Sequence, residues 1–156
     1  MKKIASILLL TIIFACSSSS REIYTKYKEL SEGGKWSASD EIFFKVNVKD
    51  ISSKYQMKLF FRCLEGFQYK NMNVKVTQIS PSKLEEIKEY SIKVIGDNGE
   101  VLGEELASIY DSETIVEKAK KFDEKGDYIF KVEPNMSVDV INNALELGLA
   151  LIKNEE

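Results

Sequence analysis

The chain lacks histidine altogether, and it has two cysteines and two prolines among 156 residues. Without an imidazole there is no Ser-His-Asp or Cys-His nucleophile system, no histidine-ligated zinc site and no histidine pH switch. Basic side chains are outnumbered, 22 against 25 acidic ones, and arginine is scarce. A nucleic-acid binder needs a basic surface to displace counterions from phosphates. The sequence therefore excludes most common hydrolase chemistry and argues against a nucleic-acid partner.

Length and composition indicate a single globular domain, because domains cluster around roughly 100 to 200 residues. Hydrophobic residues make up 44% of the chain and charged residues 30%. This is enough apolar material for a sizeable core. A disordered chain has fewer apolar residues, and a polytopic membrane protein has long apolar stretches. We therefore expect one compact folded unit.

Residues 1–20 are predicted to be an export signal and its attachment site. Lys2 and Lys3 precede an apolar stretch from Ile4 to Phe14, which is too short to span about 30 Å of hydrocarbon as a permanent helix. The segment Ile13-Phe14-Ala15-Cys16 resembles a bacterial lipobox, in which the cysteine thiol receives a diacylglycerol and becomes the new amino terminus. The alternative is an ordinary signal peptide with an incidental cysteine. We favour the lipoprotein, because a cysteine at the end of the apolar stretch followed by serines is otherwise unexplained.

These features divide the chain into a signal peptide over residues 1–15, a lipid-anchored tether over 16–35 and a folded domain over 36–156. The stretch from Arg21 to Lys35 is polar and is predicted to be a linker or a short helix. Acylation of Cys16 leaves Cys63 as a single thiol, so no intramolecular disulfide is possible. Cys63 lies in an apolar run and is predicted to be a small buried hydrophobic residue, not a nucleophile.

From Asp40 onward apolar and polar residues alternate with period two, which is typical of half-buried β-strands. The apolar faces consist of Ile42, Phe44, Val46 and Val48; Met57, Leu59, Phe61 and Cys63; Met72, Val74 and Val76; Tyr90, Ile92 and Val94; Tyr128, Phe130 and Val132; and Leu145, Leu147, Leu149 and Leu151. The pattern predicts an all-β fold, an antiparallel two-sheet β-sandwich of jelly-roll-like type. Residues 112–122 are interpreted as an outer strand, although a helical stripe also fits them. Residues 135–144 are predicted to hold a single helical turn.

Three aromatic residues are candidates for contact with a partner. Trp36 is a residue type that dominates binding hot spots, yet a lone tryptophan before the first predicted strand more simply plugs one end of the core. Phe43 and Phe60 fall on the faces opposite to the apolar sets of their strands. An exposed pair would mark a docking patch, whereas the alternative is that both sheet faces are partly covered there.

Arg62 is the one arginine within the predicted domain. Its guanidinium fork suits a carboxylate, and Asp50 or Asp40 is predicted to supply one in a structural ion pair. A carboxylate of a ligand is the alternative partner.

No group of acidic residues in the sequence has the spacing of a metal or catalytic site. The turn Gly96-Asp97-Asn98-Gly99 with Glu100, Glu104 and Glu105 gathers oxygen atoms, but a hairpin turn explains Asn-Gly without Ca²⁺. Neighbouring acids on a strand point to opposite faces and do not converge on one bond. We therefore predict no metal, no cofactor and no enzymatic activity.

A series of residues along the chain follows the order found in a known family. The residues are Trp36, Phe44, Asp50, Tyr55, Arg62, Tyr69 and Asn71-Met72, then Asp97-Asn98-Gly99, Gly103, Phe122, Gly126-Asp127-Tyr128-Ile129-Phe130, Asn135-Met136 and Leu147-Gly148-Leu149. Over nearly the whole mature chain this order resembles the GldH family of gliding-motility lipoproteins. Lys70 and Ser137 replace the proline and arginine of the family pattern, which indicates a distant member.

The resemblance implies an envelope lipoprotein without a known active site, an accessory or assembly subunit of gliding motility and the allied type IX secretion machinery. Its expected partners are membrane lipid, bound through acylated Cys16, and envelope proteins. Serines 17–20 follow Cys16 where surface-exported lipoproteins often carry acids, which favours the periplasmic face of the outer membrane. The alternative is a lipid-anchored module that binds glycan or peptide, with Trp36, Tyr69 or Tyr110 lining the site.

Overall fold

The computed structural model describes residues 22–30 and 33–154, so the predicted signal peptide and Cys16 lie outside the described residues. The described residues form eleven β-strands and no helix, and thus contain no helix able to cross a membrane. In chain order the strands are β1 Glu22–Glu29, β2 Lys35–Ser37, β3 Ile42–Val48, β4 Tyr55–Leu64, β5 Asn71–Ile79, β6 Glu85–Lys93, β7 Glu104–Leu106, β8 Ile109–Lys120, β9 Gly126–Pro134, β10 Val140–Asn142 and β11 Ala144–Lys153.

The strands of the described chain form three sheets. The largest has the order β1-β11-β4-β8-β7, the second has the order β3-β9-β5-β6, and the short strands β2 and β10 form the third. The pairs within all three sheets are antiparallel. The prediction of an all-β fold built from antiparallel sheets is therefore confirmed.

Both large sheets bury one face in the same hydrophobic cluster. The alternation is clearest in β4, where every second side chain is at most 1% exposed, namely Tyr55, Met57, Leu59, Phe61 and Cys63. The other large sheet contributes Phe44, Val46, Val48, Val74, Phe130 and Val132 to this cluster. Successive side chains of a strand point to opposite faces, so the period-two pattern of the sequence becomes the pattern of burial. Each large apolar side chain buried in this way stabilises the fold by about 1.5 to 3 kcal/mol.

The prediction of a linker or short helix between Arg21 and Lys35 is wrong for the first part of that segment. β1 occupies Glu22–Glu29 and pairs antiparallel with β11, with Tyr27 opposite Gly148. β1 is an edge strand, and half of its eight residues are charged, as edge strands often are to avoid aggregation. Those charges hide the alternation by which a half-buried strand is recognised.

Two further segments test the strand predictions. The strand expected over residues 112–122 is confirmed as the greater part of β8, Ile109–Lys120. The helical turn expected over residues 135–144 is wrong, because this segment contains β10, which pairs with β2. The pairing places Ile141 opposite Trp36, and both side chains are completely buried. Burial of this pair favours a strand over a local helical turn.

The strand directions give the molecule two ends. One end, which we call the Glu22 end, is where four strands begin and four others finish. The strands that begin there are β1, β4, β6 and β9, and those that finish there are β3, β5, β8 and β11. The loops at this end cover residues 49–54, 80–84 and 121–125, and hydrogen bonds join the second loop to the third and the first loop to Asn154, which follows β11. Ser82 Oγ donates to Glu124 over 2.6 Å, and the backbone N–H of Asn154 donates to the Lys54 carbonyl over 2.9 Å.

The small sheet of β2 and β10 lies at the opposite end, which we call the β2–β10 end. The backbone N–H of Leu64 donates to the Asn143 carbonyl, and that of Ala144 donates to the Gly34 carbonyl, over 2.9 and 3.1 Å. These bonds join the small sheet to β4 and β11 of the largest sheet. The hairpin loop between β7 and β8 lies at the same end.

Candidate functional site

Trp36 does not lie on a surface. Its exposed fraction is 0%, and it belongs to the hydrophobic cluster shared by the large sheets. The prediction that Trp36 anchors a partner is therefore wrong for this structure, because a completely buried ring cannot contact another molecule. It fills the core at the β2–β10 end, which is the simpler of the two interpretations of the sequence.

Phe43 and Phe60 do not form one docking patch. Phe43 lies on β3 and is 49% exposed, whereas Phe60 lies on β4 in the other large sheet and is half-buried. The chain crosses from one sheet to the other in the loop at residues 49–54, so the outward side chains of these successive strands belong to different outer faces. The pair is therefore separated by the core between the sheets.

Tyr27 is the aromatic neighbour of Phe60. Their ring centroids are 5.4 Å apart with an interplanar angle of 50°. The two residues are linked by register across β11, since Tyr27 pairs with Gly148 and Gly148 pairs with Phe60. A Cβ atom added at Gly148 would lie 2.7 Å from Cδ1 of Tyr27. A glycine in the middle of a strand here allows a ring to lie close over the backbone.

Arg62 lies beside this aromatic pair and contacts two carboxylates. Its Nε and Nη2 donate to the two oxygens of Asp111 over 2.6 and 2.9 Å, and Nη1 donates to Glu146 over 2.7 Å. Asp111 lies opposite Arg62 on β8 and Glu146 lies opposite it on β11. The bidentate hydrogen bonds that Arg62 donates to Asp111 raise the pKa of Arg62, so its charge is permanent.

The predicted ion pair of Arg62 with Asp50 or Asp40 is wrong. Asp50 lies at the Glu22 end, where it accepts hydrogen bonds from Lys153 over 2.8 Å and from Ser52 and Ser53. Asp40 accepts a hydrogen bond from the backbone N–H of Ser37. Arg62 is near the other end of β4, so the strand length separates it from Asp50.

Tyr27, Phe60 and Arg62 line a cleft of about 520 Å³ beside the largest sheet. One part of the cleft is lined by Tyr27, Phe60, Arg62, Asp111 and Glu113. Another part is lined by Lys93, Leu102 and Gly103. Gly103 has φ +104°, and a Cβ atom there would overlap the backbone oxygen of Asp111. This glycine lets the chain before β7 pass close to β8. The cleft volume is that of a small-ligand or side-chain site.

The charges around the cleft are largely paired. Besides the contacts of Arg62, Lys58 forms an ion pair with Glu113 at 3.1 Å. Burial raises the pKa of Tyr27, and the nearby Asp111 carboxylate raises it further. The phenol is therefore neutral at neutral pH and acts as a hydrogen-bond donor and acceptor. The cleft thus offers an exposed apolar ring beside polar groups with fixed orientations.

Other residues considered for chemistry have structural roles. The thiol of Cys63 is 0% exposed, and burial raises its pKa to about 11, which opposes formation of the thiolate. At the Asp97 turn, the backbone N–H of Gly96 donates to the Glu100 carbonyl over 2.7 Å, and Gly99 has φ +86°. Within residues 22–30 and 33–154 there is no group of three or more cysteine, aspartate or glutamate residues placed to hold a metal ion.

Sequence reasoning missed Tyr27, Asp111, Glu113 and Glu146, although it singled out Phe60 and Arg62. Tyr27 falls in the segment expected to be a tether. The signal that points to this site is Gly148 within the run Leu147-Gly148-Leu149, because a glycine inside a strand often marks a close approach of another group. The register that brings Tyr27 to that glycine becomes visible only in the folded chain.

Residues of the family-like series occupy two places in the fold. Trp36, Phe44, Tyr55 and Tyr128 are core residues, and the Tyr55 hydroxyl donates to the Asp50 carbonyl over 2.6 Å. Arg62 and Gly103 line the cleft, and Gly148 supports the ring of Tyr27. The series therefore combines residues that hold the fold with residues that shape the cleft.

Comparison with known proteins places this arrangement in a family. The "Gliding motility lipoprotein GldH" of Flavobacterium johnsoniae is 25% identical over 126 residues, which cover 81% of this chain and 77% of that protein. The sequence model of the GldH lipoproteins matches residues 22–151, from the start of β1 into β11. Because the match spans nearly all of the described residues, the chain belongs to the GldH lipoprotein family.

Proposed function

We propose that this protein is a non-catalytic assembly subunit of the gliding-motility apparatus and the allied type IX secretion machinery, held at the periplasmic face of the outer membrane by acylated Cys16. The observation that carries the proposal is the family match over residues 22–151, which includes both large sheets and the cleft. A relative of similar extent is named a gliding motility lipoprotein. A lipid-anchored β-sandwich would act by binding and positioning other envelope proteins.

The lipid anchor follows from family membership together with the Ala15-Cys16 sequence after an apolar stretch. Because β1 begins at Glu22, the tether is shorter than residues 16–35, and we propose that it ends at Arg21. A short tether holds the folded body near the membrane, where envelope partners are accessible. The body then serves as a rigid fixture, since both sheets share a single core.

The cleft around Tyr27 is the proposed contact surface for a protein partner. Tyrosine and arginine are enriched among residues that dominate binding energy, and Tyr27 is 50% exposed beside Arg62. Arg62 is already bonded to Asp111 and Glu146, so its role is to orient these carboxylates. The oriented acids suit basic side chains or backbone N–H groups of a partner, while the Tyr27 ring suits an apolar side chain.

The test is affinity purification of the acylated protein from membranes after chemical crosslinking. The Tyr27→Ala variant should recover fewer crosslinked envelope proteins than the acylated parent protein does, and gliding should decline in parallel. Phe43→Ala is the matched control, since Phe43 is 49% exposed on the other large sheet. Equal recovery with Tyr27→Ala and Phe43→Ala would contradict the proposed contact surface.

A glycan is the second candidate ligand, because an exposed aromatic ring beside charged hydrogen-bonding groups also suits a sugar face. Tyr69 and Tyr110, which the sequence suggested for such a site, are not among the residues that line the cleft. Binding of envelope polysaccharide fragments that Tyr27→Ala abolishes, with no protein recovered by crosslinking, would favour this function over the assembly role.

A further inference from the structure

The Glu22 end carries exposed aliphatic side chains at its tips. Leu84 in the loop at residues 80–84 is 72% exposed, Ile51 in the loop at residues 49–54 is 39% exposed, and Ile23 of β1 is 43% exposed. Exposure of an aliphatic side chain to water is unfavourable, and several exposed aliphatic side chains at one end of a molecule indicate an interaction surface. We call Ile23, Ile51 and Leu84 the aliphatic tips.

Lysines flank the aliphatic tips. Lys83 precedes Leu84, and Lys49 and Lys54 flank Ile51 in the sequence, while Lys121 and Lys125 lie in the third loop of this end. These five lysines are exposed, and within residues 22–30 and 33–154 none of them forms an ion pair. Lysine beside an aliphatic group suits the headgroup region of a bilayer, because its stem lies along apolar surface while the ammonium contacts phosphate.

Two of the acids in these loops are turned to internal partners. Asp50 accepts hydrogen bonds from Lys153, Ser52 and Ser53, and Glu124 accepts from Ser82. These bonds lower the pKa of both carboxyls, and they occupy both oxygens of Asp50 and one oxygen of Glu124. Asp123, which is exposed in the third loop, adds negative charge at the same end. Charges of both signs therefore lie at this end, and the aliphatic tips and the short tether distinguish it from the β2–β10 end.

The tether length fixes which end faces the membrane. Five residues, 17–21, separate Cys16 from Glu22, so an extended tether spans at most about 20 Å. β4 has ten residues, and a strand of that length extends about 33 Å. The tether is thus shorter than the body, and the Glu22 end stays nearer to the acyl chains than the β2–β10 end.

We propose that the Glu22 end is a membrane-contacting surface, whose aliphatic tips enter the interface of the bilayer that holds the acyl chains of Cys16. This inference rests on the lipid anchor of the proposed function and adds an orientation to it. The β2–β10 end then points away from the membrane. The cleft around Tyr27, on a lateral face, remains accessible to partners in the same compartment.

The test uses the acylated protein in vesicles of phosphatidylethanolamine and phosphatidylglycerol, prepared with and without spin-labelled lipid. Leu84→Cys and Ile51→Cys are each labelled with a thiol-reactive NBD fluorophore, and Cys63 is spared because it is buried with a pKa raised to about 11. Leu106→Cys is the matched control, since Leu106 is 79% exposed at the β2–β10 end. Unchanged emission of the buried lone Trp36 reports that each variant is folded.

We expect labels at positions 84 and 51 to lie about 5 to 10 Å deep in the interface. Their emission should therefore shift to the blue, and it should be about half as intense in vesicles that contain spin-labelled lipid as in vesicles without it. The label at position 106 should keep its emission. Equal quenching at positions 84 and 106 in protein that floats with the vesicles would overturn the orientation and leave the anchor intact. Protein that does not float would overturn the lipid anchor, and the orientation with it.

Discussion

Tyr27 packs its ring against Phe60 across the backbone of Gly148, with the ring centroids 5.4 Å apart. The three residues come from three adjacent strands, β1, β11 and β4. A side chain at position 148 would occupy the space under the Tyr27 ring. The contact surface proposed for a partner therefore depends on a residue that has no side chain.

Replacement of Gly148 by alanine should displace the Tyr27 ring without unfolding the protein. The ring is half-exposed and can swing outward, which forfeits an aromatic contact of about 0.5 to 1.5 kcal/mol. Replacing a glycine inside a strand by alanine increases the free energy of unfolding by about 0.5 to 1 kcal/mol. The free energy of unfolding, measured by urea denaturation, should therefore change by less than about 1 kcal/mol, while partner recovery falls as it does in Tyr27→Ala.

A double-mutant cycle separates this effect from a general loss of stability. In the Tyr27→Ala background the Cβ at position 148 meets no ring, so Gly148→Ala should become neutral or stabilising. If Gly148→Ala costs the same free energy in both backgrounds, the glycine does not serve the Tyr27 ring.

The difference between what the sequence predicted and what it missed has a physical basis. Core positions of β4 could be predicted because burial on one face imposes alternation within a single strand. The partners of Arg62 could not, because Asp111 and Glu146 are 49 and 84 residues away and meet it only through the registers of β8 and β11. Tyr27 was missed because edge strands carry charges on positions that elsewhere are apolar.

Arg62→Lys should reduce stability by about 1 kcal/mol, because an ammonium cannot reproduce the bidentate contact with Asp111 while also reaching Glu146. The loss, measured by urea denaturation, should shrink in high salt, which screens these partly exposed charges. Lys93→Met is the control, since its ion pair with Asp97 spans 3.5 Å between exposed groups and should contribute little. A loss as large for Lys93→Met as for Arg62→Lys would contradict a special role of the guanidinium.

Acid should weaken the fold partly through Asp50. Hydrogen bonds from Lys153, Ser52 and Ser53 hold the pKa of Asp50 below its ordinary value of 3.8. Because the folded-state pKa is the lower one, the contribution of Asp50 is fully present above 3.8 and is lost as pH falls through the folded-state value. The urea midpoint of the parent protein should therefore exceed that of Asp50→Asn at neutral pH, and the difference should narrow as pH falls below 3.8.

Asp123→Asn is the control for this titration, since Asp123 is exposed in a neighbouring loop of the Glu22 end and forms no ion pair within residues 22–30 and 33–154. A difference between parent and Asp50→Asn that stays constant at every pH would show that the carboxylate charge is irrelevant to stability.

Cys63 should be unreactive in the folded protein. Burial raises its pKa from 9.0 to about 11, which lowers the thiolate fraction at pH 8 by about 100-fold. Reaction with a disulfide reagent should therefore be at least about 100-fold slower in the folded state than in urea. Rapid reaction without denaturant would contradict the burial of this thiol.

Cys16→Ser should release the protein from membranes, because a serine hydroxyl cannot take the place of the thiol that receives the diacylglycerol. The measurement is the distribution of the protein between membrane and soluble fractions of the cell envelope. Cys63→Ala is the matched control, since Cys63 is buried in the core and should leave fractionation unchanged. The aliphatic tips of the Glu22 end are too few to replace several acyl chains, each of which contributes about 0.8 kcal/mol per buried CH₂. Continued recovery of Cys16→Ser with membranes would therefore contradict the lipid anchor and point to a protein partner that retains the chain there.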